Sequence, residues 1–407
     1  MIALVGIAVL VGIAILFSEN RRGINPRVVI AAFGLQAAIA AFALYFPPGQ
    51  EVLRVMSEGV QNIIDYAQAG IDFLWGDLAT GKFGFVVALK VLPVIIFMSS
   101  LIAVLYHIRI MQLIILGIGG VLRKVIGAAQ VESFCAAANI FVGMVESPLI
   151  VRPYLKSLTR SQLFAIMAVG LSSVAGAIMV GYASLGIDLH YLITASFMAA
   201  PGGLFMAKLL VPESPELHET EIKDLKITAF DPEHRPVNVI EAAADGAMVG
   251  LKIAVGVGAM LMAFVALLAL LNGIVSGVGG WFDIENLTLE QILGYVFAPL
   301  MFLLGVPWDE AKSAGNLVGQ KTILNEFIAY INFAPIKETF SERTQAIITF
   351  ALCGFANLSA LAIIIGGLGG MVPERKHEVA QLGLKAVLAG TLANLTSAAL
   401  ASVLLSL

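Results

Sequence analysis

Eight stretches of this chain are apolar over about the length a helix needs to cross a bilayer, roughly 20 residues. They are 2–17, 28–46, 84–106, 161–183, 189–211, 247–274, 343–367 and 377–406. Only 13% of the 407 residues are Asp, Glu, Lys or Arg, about half the density of a soluble protein. That excludes the soluble classes and leaves an all-α polytopic membrane protein. The net charge of −4 offers no basic face for nucleic acid. Cys135 and Cys353 lie in apolar stretches and define no disulfide framework. Met1 to Phe17 lacks a Lys/Arg-rich leader and reads as a retained span.

Orientation follows the basic residues of the short loops. Arg21, Arg22 and Arg27 place the first loop in the cytoplasm. The same side receives His107, Arg109, Arg123, Lys124, Arg152, Lys156 and Arg160, the proline-punctuated linker 212–246, and Arg375, Lys376 and His377. The acid-biased segment 47–82, the Asp188 loop, and Asp283, Glu285 and Glu290 fall outside. Each flip agrees with the one before it, and both termini are expected outside.

Beyond the N-terminal spans and outer amphipathic segment (1–82), the pattern repeats. Residues 83–211 and 247–407 each run through a long span, an amphipathic stretch, an interrupted segment carrying a carboxylate, and two further spans. The spans after the interruptions begin at 161 and 343, 182 residues apart. The first half starts outside and the second inside, so the repeat is inverted, an arrangement that points to secondary transport through a site between the halves. Duplication with only structural consequence is the plainer alternative.

The interrupted segments, 131–158 and 309–337, are too short and too broken to span singly. Gly143 and Pro148 bracket a break in the first. Each is expected to be a re-entrant hairpin, the two entering from opposite sides, so the fold is about eight spans plus two opposed hairpins. Glu146 and Glu326 lie at these breaks, where a carboxylate faces a cavity, pairs with a cation or carries protons. Lys321, five residues before Glu326, offers an internal ion pair as the alternative. Asn357, at the centre of the seventh span, needs several hydrogen-bonding partners, whereas Ser173 could bond its own helix backbone. An intramembrane enzyme with paired carboxylates and a metal is disfavoured, because no His lies near either Glu and neither HExxH nor GxSxG is present.

The runs ANIFVGMVESPLIVRPYL (138–155), GNLVGQKTILNEFIAY (315–330) and LCGFANLSALAIIIGGLGGMVPER (352–375) resemble the concentrative nucleoside transporter family. So do FGFVVALKVLPVIIF (83–97) and AGAIMVGYASLGI (175–187), in order over nearly the whole chain. The resemblance implies a bacterial inner-membrane homotrimer in which a mobile region carries the substrate by elevator-like displacement. It implies nucleoside symport driven by sodium, with no organic cofactor and no enzymatic activity. The base would lie against Met144, Val145, Glu146 and Ile178, and the ribose against Asn325, Glu326, Phe355, Asn357 and Ser359. The sodium ligands would be the side chains of Asn139 and Ser173 and the carbonyls of Val142 and Val174. Proton coupling through Glu146 or Glu326, or a different small polar substrate, is the alternative. Two positions depart from the family pattern: Met144-Val145 replaces Gln-Thr or Gln-Ser, and Ala360 replaces a serine near the ribose.

Overall fold

The computed structural model describes residues 2–79, 86–213, 236–281, 284 and 287–407. Most of the 212–246 linker, including His218 and His234, lies outside the described residues, as do 80–85, Asp283 and Glu285. Among the described residues all regular structure is helical. The N-terminal part holds α1 (Ile2–Leu16), α2 (Pro26–Leu44) and α3 (Pro47–Trp75). The first repeat comprises α4 (Val87–Lys90), α5 (Leu92–His107), α6 (Ile110–Ile126), α7 (Gln130–Ala138), α8 (Arg160–Ser172), α9 (Gly176–Ser184) and α10 (Leu189–Leu210). The second comprises α11 (Val239–Gly280), α12 (Leu289–Leu303), α13 (Trp308–Ile323), α14 (Glu326–Phe333), α15 (Glu342–Leu352), α16 (Leu358–Met371) and α17 (Lys376–Leu404).

Local signals set many of the helix starts. Asn25 accepts from the Arg27 amide and is followed by Pro26 at the first turn of α2. Thr159 and Gln162 form a reciprocal capping box on α8, while Asp188 and Asn238 cap α10 and α11. Among the described residues six helical runs are long and apolar enough to cross a membrane, or seven if the α12–α13 pair, bent by 117°, counts as one. The expected spans at 2–17, 343–367 and 161–183 depart from a single long helix. The run 2–17 makes a helix of only 15 residues. The run 343–367 is split at Cys353–Asn357 into α15 and α16, as 161–183 is split at Ser173–Ala175 into α8 and α9.

Both hairpins form. In the first, α7 stops at Ala138, residues 139–146 are non-helical, and the return arm Ser147–Ser157 is a 3₁₀-helix that kinks at Val151. Pro153, inside that arm, lacks an N–H to donate and opposes an α-helix there. In the second, the chain turns at Leu324–Asn325 between α13 and α14.

Burial separates two kinds of helix. Only 22% of the most apolar stretch of α11 and 28% of that of α2 and of α4–α5 is covered, against 83% for α8–α9 and 94% for α10. The packed core is therefore α8, α9, α10 and α17 with the hairpins, and α11 lies along its flank beside α5. Segments expected on one membrane face meet at one end of the molecule. Glu19 pairs with Arg160 at 3.0 Å and Lys385 at 2.9 Å, and Lys156 pairs with Glu374 at 2.6 Å. Both termini lie at the opposite end, where Ala3 and Ser402 flank Gly305 and Arg343 donates to the Ser402 hydroxyl at 2.8 Å.

Candidate functional site

The two helix breaks cross at the centre of the core. The Phe355 amide in the second break donates to the Ser173 carbonyl in the first at 3.1 Å. Breaking a helix at depth frees backbone groups that need partners, and one side chain supplies several. Asn394 of α17 donates to the Ser172 carbonyl at 2.6 Å and the Cys353 carbonyl at 2.8 Å, the frayed ends of α8 and α15. Its oxygen accepts from Lys321 Nζ at 2.8 Å, and Lys321 also donates to the Ala351 carbonyl at 2.8 Å. Lys321 therefore bonds neutral oxygens, and among the described residues it makes no ion pair with Glu326.

Glu326 instead receives the Tyr182 hydroxyl at 2.9 Å and the Asn357 amide at 2.8 Å. Asn325 caps α14 through the Ile328 amide, which turns Glu326 into the first helical turn, where the helix dipole favours a carboxylate. Asn357 caps α16: its oxygen accepts from the Ala360 amide at 2.7 Å and the Ser359 hydroxyl at 2.7 Å. Among the described residues it thus makes three of its side-chain hydrogen bonds, one donated and two accepted.

The tip of the first hairpin docks on the first break. Asn139 Nδ2 donates to the Val169 carbonyl at 2.8 Å, the Ser173 hydroxyl to the Asn139 carbonyl at 3.2 Å, and the Gly176 amide to the Phe141 carbonyl at 3.0 Å. Ser173 therefore bonds across to the hairpin and not to its own helix. A Cβ on Gly176 would stand 2.9 Å from the Phe141 oxygen, so this approach requires glycine. Asn139 is 1% exposed, yet its side-chain oxygen has no hydrogen-bond partner. Among the described residues no hydrogen bond reaches the Val142 or Val174 carbonyl. Neutral oxygens at a helix break, one of them a buried orphan, form a donor set suited to a monovalent cation.

A cavity of about 590 Å³ runs between these elements and the α5–α11 pair. Met144, Val145, Glu146, Ile178, Asn325, Glu326, Phe355, Asn357 and Ser359 all line it. Met144 packs on Gly170 of α8 and Val145 on Gly367 of α16, both apolar contacts. Asn139, Ser173 and Val174 lie behind this wall, and Val142 is shared with it. The opposite wall was not anticipated. It consists of Ser99, Ile102, Ala103 and Tyr106 on one face of α5, with Asp245 and Lys252 on α11. The i, i+3, i+4, i+7 spacing on α5 is visible in the sequence, but it does not say which face is wet. Tyr182, one helical turn beyond Ile178, was likewise missed as a partner of Glu326.

Residues 191–402 match the profile of the Na+ dependent nucleoside transporter C-terminus, residues 5–78 that of its N-terminus, and residues 88–188 that of a nucleoside recognition gate. The chain is 49% identical to nucleoside permease NupC of Helicobacter pylori, covering 100% of this chain and 98% of that one. The solved structure of CNTnw in an inward-facing substrate-bound state aligns with a TM-score of 0.94 at 51% identity, covering 100% of this chain and 98% of that one. A variant of CNTnw in an outward-facing state aligns at 0.93. These are families and folds of transporters, not enzymes. The chain belongs to the Na+-dependent nucleoside transporter family.

Proposed function

We propose that this protein is a sodium-driven nucleoside symporter of the bacterial inner membrane, with both termini outside, working as a homotrimer by elevator-type alternating access. Residues 1–82, with the α5–α11 pair, form the scaffold against lipid and neighbouring copies. The hairpins 131–158 and 309–337, with the broken spans of the two repeats (83–211 and 247–407), form the moving body. The linker 212–246 joins the repeats in the cytoplasm.

The ribose binds at the second hairpin. A carboxylate has about four acceptor positions; Tyr182 and Asn357 take two on Glu326, leaving two for vicinal sugar hydroxyls. The base lies against Met144, Val145, Glu146 and Ile178. Hydrocarbon at 144 and 145 packs against a base without reading its edge, so base preference is altered from that of relatives with Gln-Thr there. Sodium binds at Asn139, Val142, Ser173 and Val174, and orders the tip that carries the base site.

The observation that carries this reading is the buried, unpartnered Asn139 oxygen directly behind a cavity lined by every expected substrate contact. The test is uptake of labelled uridine and adenosine into proteoliposomes under an inward sodium gradient, against choline and against a proton gradient. Sodium-driven uptake that Asn139→Ala abolishes is the expected result. Uptake that follows the proton gradient alone would favour coupling through Glu146 or Glu326 instead.

A further inference from the structure

Lys321 is 2% exposed at the heart of the molecule; among the described residues its hydrogen bonds go to neutral oxygens only, and transport as described above makes no use of it. A buried ammonium that no carboxylate hydrogen-bonds is expensive, and it persists only where something is organised around it. The repeat indicates what. Asn139 and Lys321 are 182 residues apart, as are Val169 and Ala351, the carbonyls that they respectively reach. The same interval links Ser173 to Phe355, the two residues joined where the breaks cross. Asn139, a side-chain ligand in the sodium reading of the first repeat, therefore maps onto Lys321 in the second, each reaching the corresponding carbonyl.

We infer that the Lys321 ammonium is a tethered cation, doing for the second break what sodium does for the first; this rests on the sodium reading at Asn139. Both breaks expose the carbonyl ends of a half-helix, where partial negative charge collects. In the first repeat an exchangeable ion satisfies it. In the second, the ammonium sits on Ala351 O and on Asn394, which ties together the carbonyl ends of α8 and α15. The ribose-binding half of the site is thus held permanently, whereas the base-binding half forms only with sodium. Lys321 is a positioning residue that touches no substrate.

The test is nucleoside binding to the purified full-length protein by titration calorimetry over a range of sodium concentrations, for wild type, Lys321→Met and Lys321→Asn. The wild-type logarithmic slope of affinity against sodium should be about one. Lys321→Met leaves two buried acceptors without a donor and should bind about tenfold or more weakly at every sodium concentration, with the slope unchanged. Lys321→Asn restores the first repeat's side-chain amide, removing the tethered charge, so its slope should rise toward about two as a second ion enters. A wild-type slope of two, a Lys321→Asn slope equal to wild type, or Lys321→Met at wild-type affinity would each overturn the inference. If Lys321→Asn does not fold, Lys321→Ala is titrated with methylammonium: recovered binding supports the tethered cation and no recovery refutes it. A wild type indifferent to sodium would instead sink the reading at Asn139.

Discussion

Glu326→Gln isolates the sugar contact with little disturbance of the fold. The Asn357 oxygen is committed to the Ala360 amide and the Ser359 hydroxyl, so Asn357 presents only its amide group to residue 326. A glutamine must then turn its oxygen toward Asn357 and its NH2 toward Tyr182, whose hydroxyl can rotate to accept. Both internal contacts survive. What is lost is the charged acceptor offered to the substrate. A hydrogen bond to a charged group contributes about 1.5–3 kcal/mol, so uridine affinity should fall roughly 10- to 150-fold while thermal stability changes little. Calorimetry at saturating sodium, with uridine and 2′,3′-dideoxyuridine on both proteins, completes a cycle. If Glu326 holds the hydroxyls, the substitution and the deletion remove the same interaction, and their penalties are strongly non-additive. Equal losses for the two ligands would refute the argument, because the carboxylate would then act through the fold and not on the sugar.

Three further outcomes follow from particular contacts. Met144→Gln with Val145→Thr restores polar groups facing the base and should change the uridine-to-adenosine affinity ratio by about tenfold or more in competition assays; an unchanged ratio would place base recognition elsewhere. Gly143→Ala puts a methyl against the Glu146 carboxylate and near the Ala175 side chain, and it should weaken nucleoside binding by about 1–3 kcal/mol, the usual cost of overpacking, read by calorimetry. The hydrogen bond from Arg160, opposed in part by burial and aided by Lys385, holds the Glu19 carboxyl below its ordinary value of 4.5. A depressed carboxylate stabilises the fold above its unfolded pKa and loses that contribution as pH falls through the folded value. Wild type should therefore melt higher than Glu19→Gln near neutral pH, and the gap should close as pH falls below the ordinary 4.5 and through the depressed folded value; a gap independent of pH would contradict the assignment.

Hydrophobic run length made much of the architecture legible, because lipid leaves a chain few ways to satisfy its backbone. The hairpins were legible for the same reason, as were Glu146 and Glu326 at their breaks, both of which line the cavity. Three features were not. The 3₁₀ return arm of the first hairpin depends on how Pro153 combines with the kink at Val151, which no periodicity encodes. The α5–α11 wall of the cavity consists of faces that look lipid-exposed by composition. Asn394 looks like an ordinary polar residue in a long apolar helix until the ends of α8 and α15 are seen to converge on it.

Lys321 and Glu326 show most clearly what spacing alone does not decide. Five residues apart in one segment, they offer a local ion pair as the alternative reading. The chain, however, leaves helical geometry at Leu324 and is extended at Asn325, so α13 and α14 are separate helices and the two charges answer to different neighbours. Glu326 heads a helix and takes its donors, Tyr182 and Asn357, from the two broken spans. Lys321 ends a helix and is drawn to carbonyl ends, Ala351 directly and Cys353 through Asn394. Each charge follows the sign of the helix end it meets, so a helix broken at depth offers cations to one side and anions to the other. A site built from two such breaks, crossed at Ser173 and Phe355, places cation-attracting carbonyl ends and an anionic helix-heading carboxylate side by side in one core.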